Sequence, residues 1–410
     1  MRTRFQMIGL TAGTTIGLCA CFVLALQLAL SREAPPALTP SPEPTPAMSQ
    51  LQQPGREEPP EDVTLEVVAD HLDRPVAFAV APDGRIFFTE KETGNVRVIA
   101  NGALLPDPVL TLPVARSAEQ GLLGIAVDPG FEANRALWVY HTLPRDAHDG
   151  VHKVNRIVRF VERDNVGIDV TAVFTSPNSD GDGTHNAGNL HFGPDGKLYV
   201  TIGEDNQSDL AQRLDDPRGK LLRFNPTVPL SAPEDNPFYD GDGPNEDGIY
   251  TYVHRNPFDF TFDPLSVRLN IFISENGPGC DDEINRAIPG GNYGWRPGYH
   301  CEDEKGSDPT GQYVTPMLFW KPPSAPTGIT VYTGDDIPQW YGDVFFCSYL
   351  DSALHHLKLN AARDAFLEHT IVNGLFCQTD VFTGPEGGLY FVPGGGFEQG
   401  TLKRLVRREP

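Results

Sequence analysis

The 410-residue chain sets 32 Lys and Arg against 55 Asp and Glu, a formal net charge of −23, and 39% of its residues are apolar. So acidic a surface repels a phosphate backbone, and no stretch joins basic clusters to aromatic platforms, which excludes nucleic acid as a partner. Small neutral or cationic ligands and hard cations such as Ca²⁺ remain compatible with it.

At the N-terminus Arg2 and Arg4 precede an uncharged run over residues 6–31. Signal-peptide cores span about 7 to 15 residues and a membrane-crossing helix needs about 20, so residues 1–31 read as a transmembrane anchor, with a signal peptide cleaved after Ser31 as the alternative. Either reading exports the remainder to an extracytoplasmic compartment and limits membrane contact to this segment. Residues 32–61 are Pro-rich, hold no core and read as a disordered linker. Four cysteines follow, at 280, 301, 347 and 377. In an oxidising compartment they predict two disulfides, Cys280 with Cys301 and Cys347 with Cys377, each closing a loop within or between neighbouring hairpins.

Residues 62–410 repeat one theme, a turn with Asp-Gly or its equivalent followed by an apolar strand, a polar loop and another strand. Copies begin at Ala81, Asp128, Gly193, Asp263, Tyr341 and Gly384. Six hairpins at irregular spacing with almost no helical periodicity predict an all-β fold, a six-bladed β-propeller, over a β-sandwich, which rarely reaches this length.

Propeller ligands sit where blade loops converge, so loop residues out of step with the turn pattern are the site candidates. Four segments qualify. "EQGLLG" contains Gln120. "THNAG" places His185 beside Ala187 and Gly188, small residues that leave room for a ligand at an imidazole able to accept a hydroxyl proton. In "HRNP" Pro257 holds Asn256 extended and directs Arg255, a stabiliser of oxyanion charge or a partner for one of the many carboxylates. "ENGPGCDDE" can aim the Gly277 and Pro278 carbonyls at a hard cation, or form a disulfide-tied acidic turn.

In this order, and with "HFGPDGKLYVTIGED", "AQRLDDPRGKLLRFNP", "GGNYGW" and "APTGITVY", these segments resemble the glucose/sorbosone dehydrogenase family, soluble sugar dehydrogenases that use pyrroloquinoline quinone and form six-bladed propellers. The likeness runs from about Leu65 to Leu405. It implies oxidation of an aldose or related sugar at the anomeric carbon to a lactone, with electrons passed to an external acceptor, since the chain has no haem-attachment motif. By it His185 is the general base, Arg255 steadies charge on the reacting oxygens, and Gln120, Arg255 and Asn256 contact the quinone. The Gly277 and Pro278 carbonyls hold Ca²⁺, and Glu283 with Tyr293 resembles a second, structural Ca²⁺ site. Two positions depart from the family. Ser348-Tyr349-Leu350-Asp351 and Cys377-Gln378-Thr379 stand where relatives carry cations for the quinone's carboxylates, and the Cys347–Cys377 pair is expected to staple the two blades there. The departures motivate an alternative, a non-catalytic propeller binding a glycan or protein. A Ca²⁺-dependent lactonase fits less well, because the loops are poor in placed carboxylates.

Overall fold

The computed structural model describes residues 53–179, 181–299, 312–395 and 399–408. Residues 1–31, expected as anchor or signal, lie outside them, as does Cys301. No helix among the described residues is long and apolar enough to cross a membrane.

Six antiparallel sheets follow one another along the chain. Blade 1 runs from Pro75–Val80 to Leu110–Thr111, blade 2 from Leu122–Val127 to Val166–Thr175, blade 3 from Ala187–Phe192 to Ile249–Tyr252, blade 4 from Pro257–Phe262 to Leu318–Trp320, and blade 5 from Pro326–Val331 to Phe366–Phe376. Blade 6 comprises Val381–Thr383, Leu389–Phe391 and Gln399–Arg407, and its outermost strand is Val63–Asp73 from the other end of the domain. That pairing closes the ring and leaves no open end between first and last blades. The propeller expected from the sequence is the fold observed.

Each predicted repeat maps onto one blade, the turn joining its first strand to its second. The second strands, such as Ile86–Glu90, Ala136–Leu143, Leu198–Ile202 and Val344–Ser348, are buried along their whole length. They lie inside a sheet whose two faces both pack on neighbouring blades, so both side-chain rows are covered. Apolar clusters fill the spaces between blades. One joins Phe87 and Val98 of blade 1 to Ile125 and Val139 of blade 2, and another joins Leu72, Tyr390 and Leu402 of blade 6 to Phe78 and Phe88 of blade 1. Carboxylates fasten the innermost strands. Asp259 of blade 4 accepts Asn189 Nδ2 (2.5 Å) and His191 Nε2 (2.9 Å) from blade 3 and Ile329 N (3.1 Å) from blade 5, while Asp380 accepts Phe78 N of blade 1 at 2.8 Å.

Two expectations need correction. Of the expected linker, residues 32–52 lie outside the described residues, and its later part is not disordered, because Gly55–Glu57 adds to blade 5 as a parallel edge strand opposite Thr370, Ile371 and Val372. Its anchor is ionic: the buried His356 ring bonds Glu57 Oε1 (2.5 Å) and Asp343 Oδ2 (2.9 Å). The Cys347–Cys377 disulfide forms as predicted. It does not join two blades, however, but ties the second strand of blade 5 to the segment leaving that blade's outer strand. Cys280 is also disulfide-bonded.

Burial disfavours the charged form of His356, yet Asp343 and Glu57 overcome this and hold its pKa above the usual histidine value. A raised folded pKa means that the clasp is at full strength below the free value near 6.5 and weakens as pH rises through the folded value. Amide exchange at residues 55–57, corrected for intrinsic rates, should therefore speed up between pH 6 and pH 9, and Glu57→Gln should flatten that rise. Equal protection across the range would disprove the clasp.

Candidate active site

In an antiparallel four-stranded blade, the connections from second to third strand and from one blade to the next emerge on the same face of the ring. All four candidate segments are such connections. Residues up to 303 apart in the chain are thereby gathered around one cavity of ≈ 260 Å³ lined by apolar Val76, Leu123 and Phe258 and by Lys91, Glu119, Thr184, Asn276, Tyr349 and Thr379, among others. A smaller cavity of ≈ 20 Å³ adjoins it, sharing Val76, Glu119, Leu123 and Phe258 and lined also by Ala187 and Asn189.

His185 stands in the connection from blade 2 to blade 3 in a left-handed conformation, φ 56°, and is almost wholly buried. Strain of this sort in a non-glycine residue survives only where its surroundings enforce it. Here Asp205 N bonds the His185 carbonyl at 3.2 Å. The ring's Nδ1 meets Glu204 Oε1, and Glu204 is itself buried. A carboxylate only accepts, so Nδ1 carries a proton, and in the neutral ring Nε2 is the acceptor. No hydrogen bond falls on Nε2 among the described residues, while the adjoining Thr184 lines the cavity.

The Glu204 amide bonds the Arg255 carbonyl at 2.9 Å. Arg255 in turn bonds Glu275 Oε1 through its amide (2.7 Å) and the Asn276 carbonyl through Nη1 (3.0 Å), and its guanidinium lies 5.5 Å from the Trp295 ring centre. Burial pulls the Arg255 pKa down, opposed by the charges of Glu204, Glu119, Asp282 and Glu275. Its Nε is buried without a partner, a donor aimed at something the protein does not supply. His185, Glu204, Arg255, Asn276 and Gly277 thus form one continuous chain of contacts.

Beyond Asn276, Gly277 allows the tight loop: a Cβ there would lie 1.8 Å from the Cys280 carbonyl. Asp282 pins the loop, taking Gly277 N at 2.9 Å and Ser324 N and Ala325 N at 2.7 Å each. Burial pushes its pKa up to about 6 despite those bonds. The Gly277 and Pro278 carbonyls accept no hydrogen bond among the described residues, which suits a hard cation. The acidic run beside them is otherwise engaged, Asp281 with Tyr299 Oη (2.6 Å) and Lys321 Nζ (3.2 Å).

Other candidates sit behind the cavity. Asn256 bridges three blades, its Oδ1 accepting Ala187 N (3.2 Å) and its Nδ2 donating to Glu119 and Asn276 (3.3 Å each). Gln120 is fully buried and accepts Lys153 Nζ at 2.9 Å, with its own Nε2 unpartnered. Glu283 accepts Asn285 Nδ2 (3.0 Å), and Tyr293 stacks on His254 and donates its hydroxyl to the Arg286 carbonyl at 2.5 Å. No three His, Cys, Asp or Glu side chains group as metal ligands among the described residues. The room expected at Gly188 is taken by the Tyr140 ring, which a Cβ would approach to 2.4 Å.

Two residues escaped the sequence reading. Glu204 lies 19 positions beyond His185, and its signal was only an acidic loop after a strand. Lys91 sits in an ordinary hairpin, yet Gly121 lets its side chain pass to the cavity wall, where a Cβ would fall 2.6 Å from Lys91 Cγ. Burial, with Arg74 nearby, holds the Lys91 pKa below the ordinary lysine value against Glu92 and Glu119. The two departures from the family pattern do face this cavity, as neutral Tyr349 and Thr379.

If Glu204 fixes the tautomer, imidazole ¹⁵N spectra of the His185 ring should show protonated Nδ1 and bare Nε2. In Glu204→Gln that preference should fall by about tenfold or more, the worth of a charge-assisted bond. An unchanged spectrum would contradict the pairing.

The family model described as Glucose / Sorbosone dehydrogenase matches residues 72–403. The aldose sugar dehydrogenase YliI of Escherichia coli is 31% identical over 343 residues, covering 81% of this chain and 90% of that protein. Quinoprotein glucose dehydrogenase B of Acinetobacter calcoaceticus is 31% identical over 262 residues, 57% of this chain and 52% of that one. The PQQ-bound aldose sugar dehydrogenase of Streptomyces coelicolor superposes with a TM-score of 0.67 at 25% identity, over 85% of this chain and 99% of that one. With the family model matched over most of its length and its propeller shared with these relatives, the chain belongs to the glucose/sorbosone dehydrogenase family.

Proposed function

We propose that this chain oxidises an aldose or a related sugar at its anomeric carbon to the lactone, with pyrroloquinoline quinone and Ca²⁺, in an extracytoplasmic compartment where its N-terminal segment anchors it or directs its export. One observation carries the reading: an imidazole whose Nδ1 is held by a buried carboxylate directly follows Thr184, which lines a cavity with apolar walls.

His185 Nε2 takes the proton of the anomeric hydroxyl, and Glu204 stabilises the imidazolium that results. Arg255 directs positive charge at the oxygen as it becomes anionic. The cavity presents the apolar side chains of Val76, Leu123 and Phe258 to a guest. Those side chains and the volume suit a planar aromatic guest, and the Gly277 and Pro278 carbonyls suit Ca²⁺. When bound, the quinone supplies a two-electron acceptor and the cation a Lewis acid. Lys91 would hold a quinone carboxylate, which answers the missing cations at Tyr349 and Thr379 from blade 1, the blade that follows blade 6 around the ring. An external molecule then removes the electrons.

The protein reconstituted with quinone and Ca²⁺ should reduce a dye acceptor in the presence of aldoses, and His185→Gln should lower turnover by about 10²- to 10⁴-fold, the usual worth of a positioned base. Lys91→Gln should weaken quinone binding, measured by calorimetry, by about 10- to 100-fold, while Lys91→Arg retains it. Absence of both dye reduction and quinone binding would refute the proposal.

A further inference from the structure

A second cavity, again ≈ 260 Å³, opens over blade 5 between the connection entering that blade, the turn after its second strand, and the edge strand Gly55–Glu57. Arg56, Trp320, Lys321, Asp351, His355 and His369 line it. It adjoins the first: Ser324 and Asp351 face this cavity, while Ala325 and Tyr349 face the other.

Its polar wall has a defined direction of hydrogen bonding. Ser348 Oγ lies against the Asp351 carboxylate, which can only accept, so the serine proton is committed there. The Ser348 oxygen must then accept from His355 Nε2–H, at 2.9 Å. Burial lowers the His355 pKa and keeps the ring neutral, so its Nδ1 has no proton and accepts from His369 Nε2–H, also at 2.9 Å. His369 is held neutral in turn, its pKa pushed down to about 3 by burial and by His355. What remains is His369 Nδ1, a bare acceptor. No hydrogen bond falls on it among the described residues, and its ring, only 7% exposed, lines the cavity.

A fixed acceptor beside the Asp351 carboxylate demands hydroxyl or N–H donors and disfavours phosphates and carboxylates, which only accept. A metal ion lacks a third ligand among the described residues, and Lys321 and Arg56 oppose its charge. Those same cations donate to neutral oxygens, and Trp320, Pro322 and Pro323 give apolar surface for a C–H face. Ligands with hydroxyls on an apolar ring satisfy all of these groups.

We propose that this cavity is a second carbohydrate subsite, which receives the distal units of an oligosaccharide whose reducing end occupies the first cavity, with Asp351 and His369 Nδ1 accepting its hydroxyls. The assignment of the reducing end rests on the sugar oxidation proposed above; the second cavity's affinity for sugar does not.

The two are separated by measuring binding without turnover. Saturation-transfer NMR on the quinone-free protein, with α- and β-linked glucose trisaccharides as probes, should show contact with the distal rings. Asp351→Asn and His369→Gln should each remove it. In the reconstituted enzyme both variants should raise KM for a trisaccharide by about tenfold, consistent with one lost bond to a charged or fixed acceptor, and leave glucose within about twofold. Contact by the distal rings without any oxidation would uphold the subsite and sink only the oxidation. Absence of distal contact with either linkage, or KM values unmoved in both variants while glucose is oxidised, would overturn the subsite.

Discussion

Closure of the ring is the constraint on which everything else depends. The strand Val63–Asp73 pairs with Gln399–Arg407 and so brings the two ends of the domain into one sheet. Once the sheets stand in a circle, each blade packs both faces on its neighbours, and alternate connections must emerge on the same side. The cavity follows from that topology. Glu119, His185, Arg255 and Asn276 belong to four different inter-strand connections, and no local feature of the chain would bring them together.

This topology also explains what was legible in the sequence. The second strand of each blade is apolar on both sides because it is covered on both sides, and its turn is short, so six copies stood out. Outer strands such as Val166–Thr175 are largely exposed and left no comparable pattern. His185 and Arg255 were readable as polar residues out of step with the turns. Glu204 and Lys91 were not, because their roles come from contacts across 19 residues and from the space left by Gly121. Gly188 was misjudged for the converse reason: a glycine marks a close approach without naming what approaches, and here it is Tyr140. Asp281 and Asp282, beside the Gly277 and Pro278 carbonyls, had no assigned role in the sequence, and the fold gives Asp281 to Tyr299 and Lys321 and Asp282 to three backbone amides. Gly55–Glu57 was taken for linker because a three-residue edge strand has no pattern of its own; its place is set by His356, some 300 residues away.

Charge is distributed in keeping with the proposed chemistry. A chain with a net charge of −23 brings Lys91 to the cavity wall and Arg255 just behind it, and both lose solvation by burial. Such desolvated cations act more strongly on an anionic guest or a developing oxyanion than they would in water. Fixing the base by a buried carboxylate serves the same end, since neither the ring nor its proton has to reorganise during the reaction.

The most direct test of the central claim, that His185 removes the anomeric hydroxyl proton as the anomeric C–H bond breaks, is a deuterium isotope effect on dye reduction by the reconstituted protein. The account predicts a primary effect with sugar deuterated at the anomeric carbon, and in His185→Gln a slower reaction that retains it. Turnover with no such effect in single-turnover measurements, or at an unchanged rate in the variant, would contradict it.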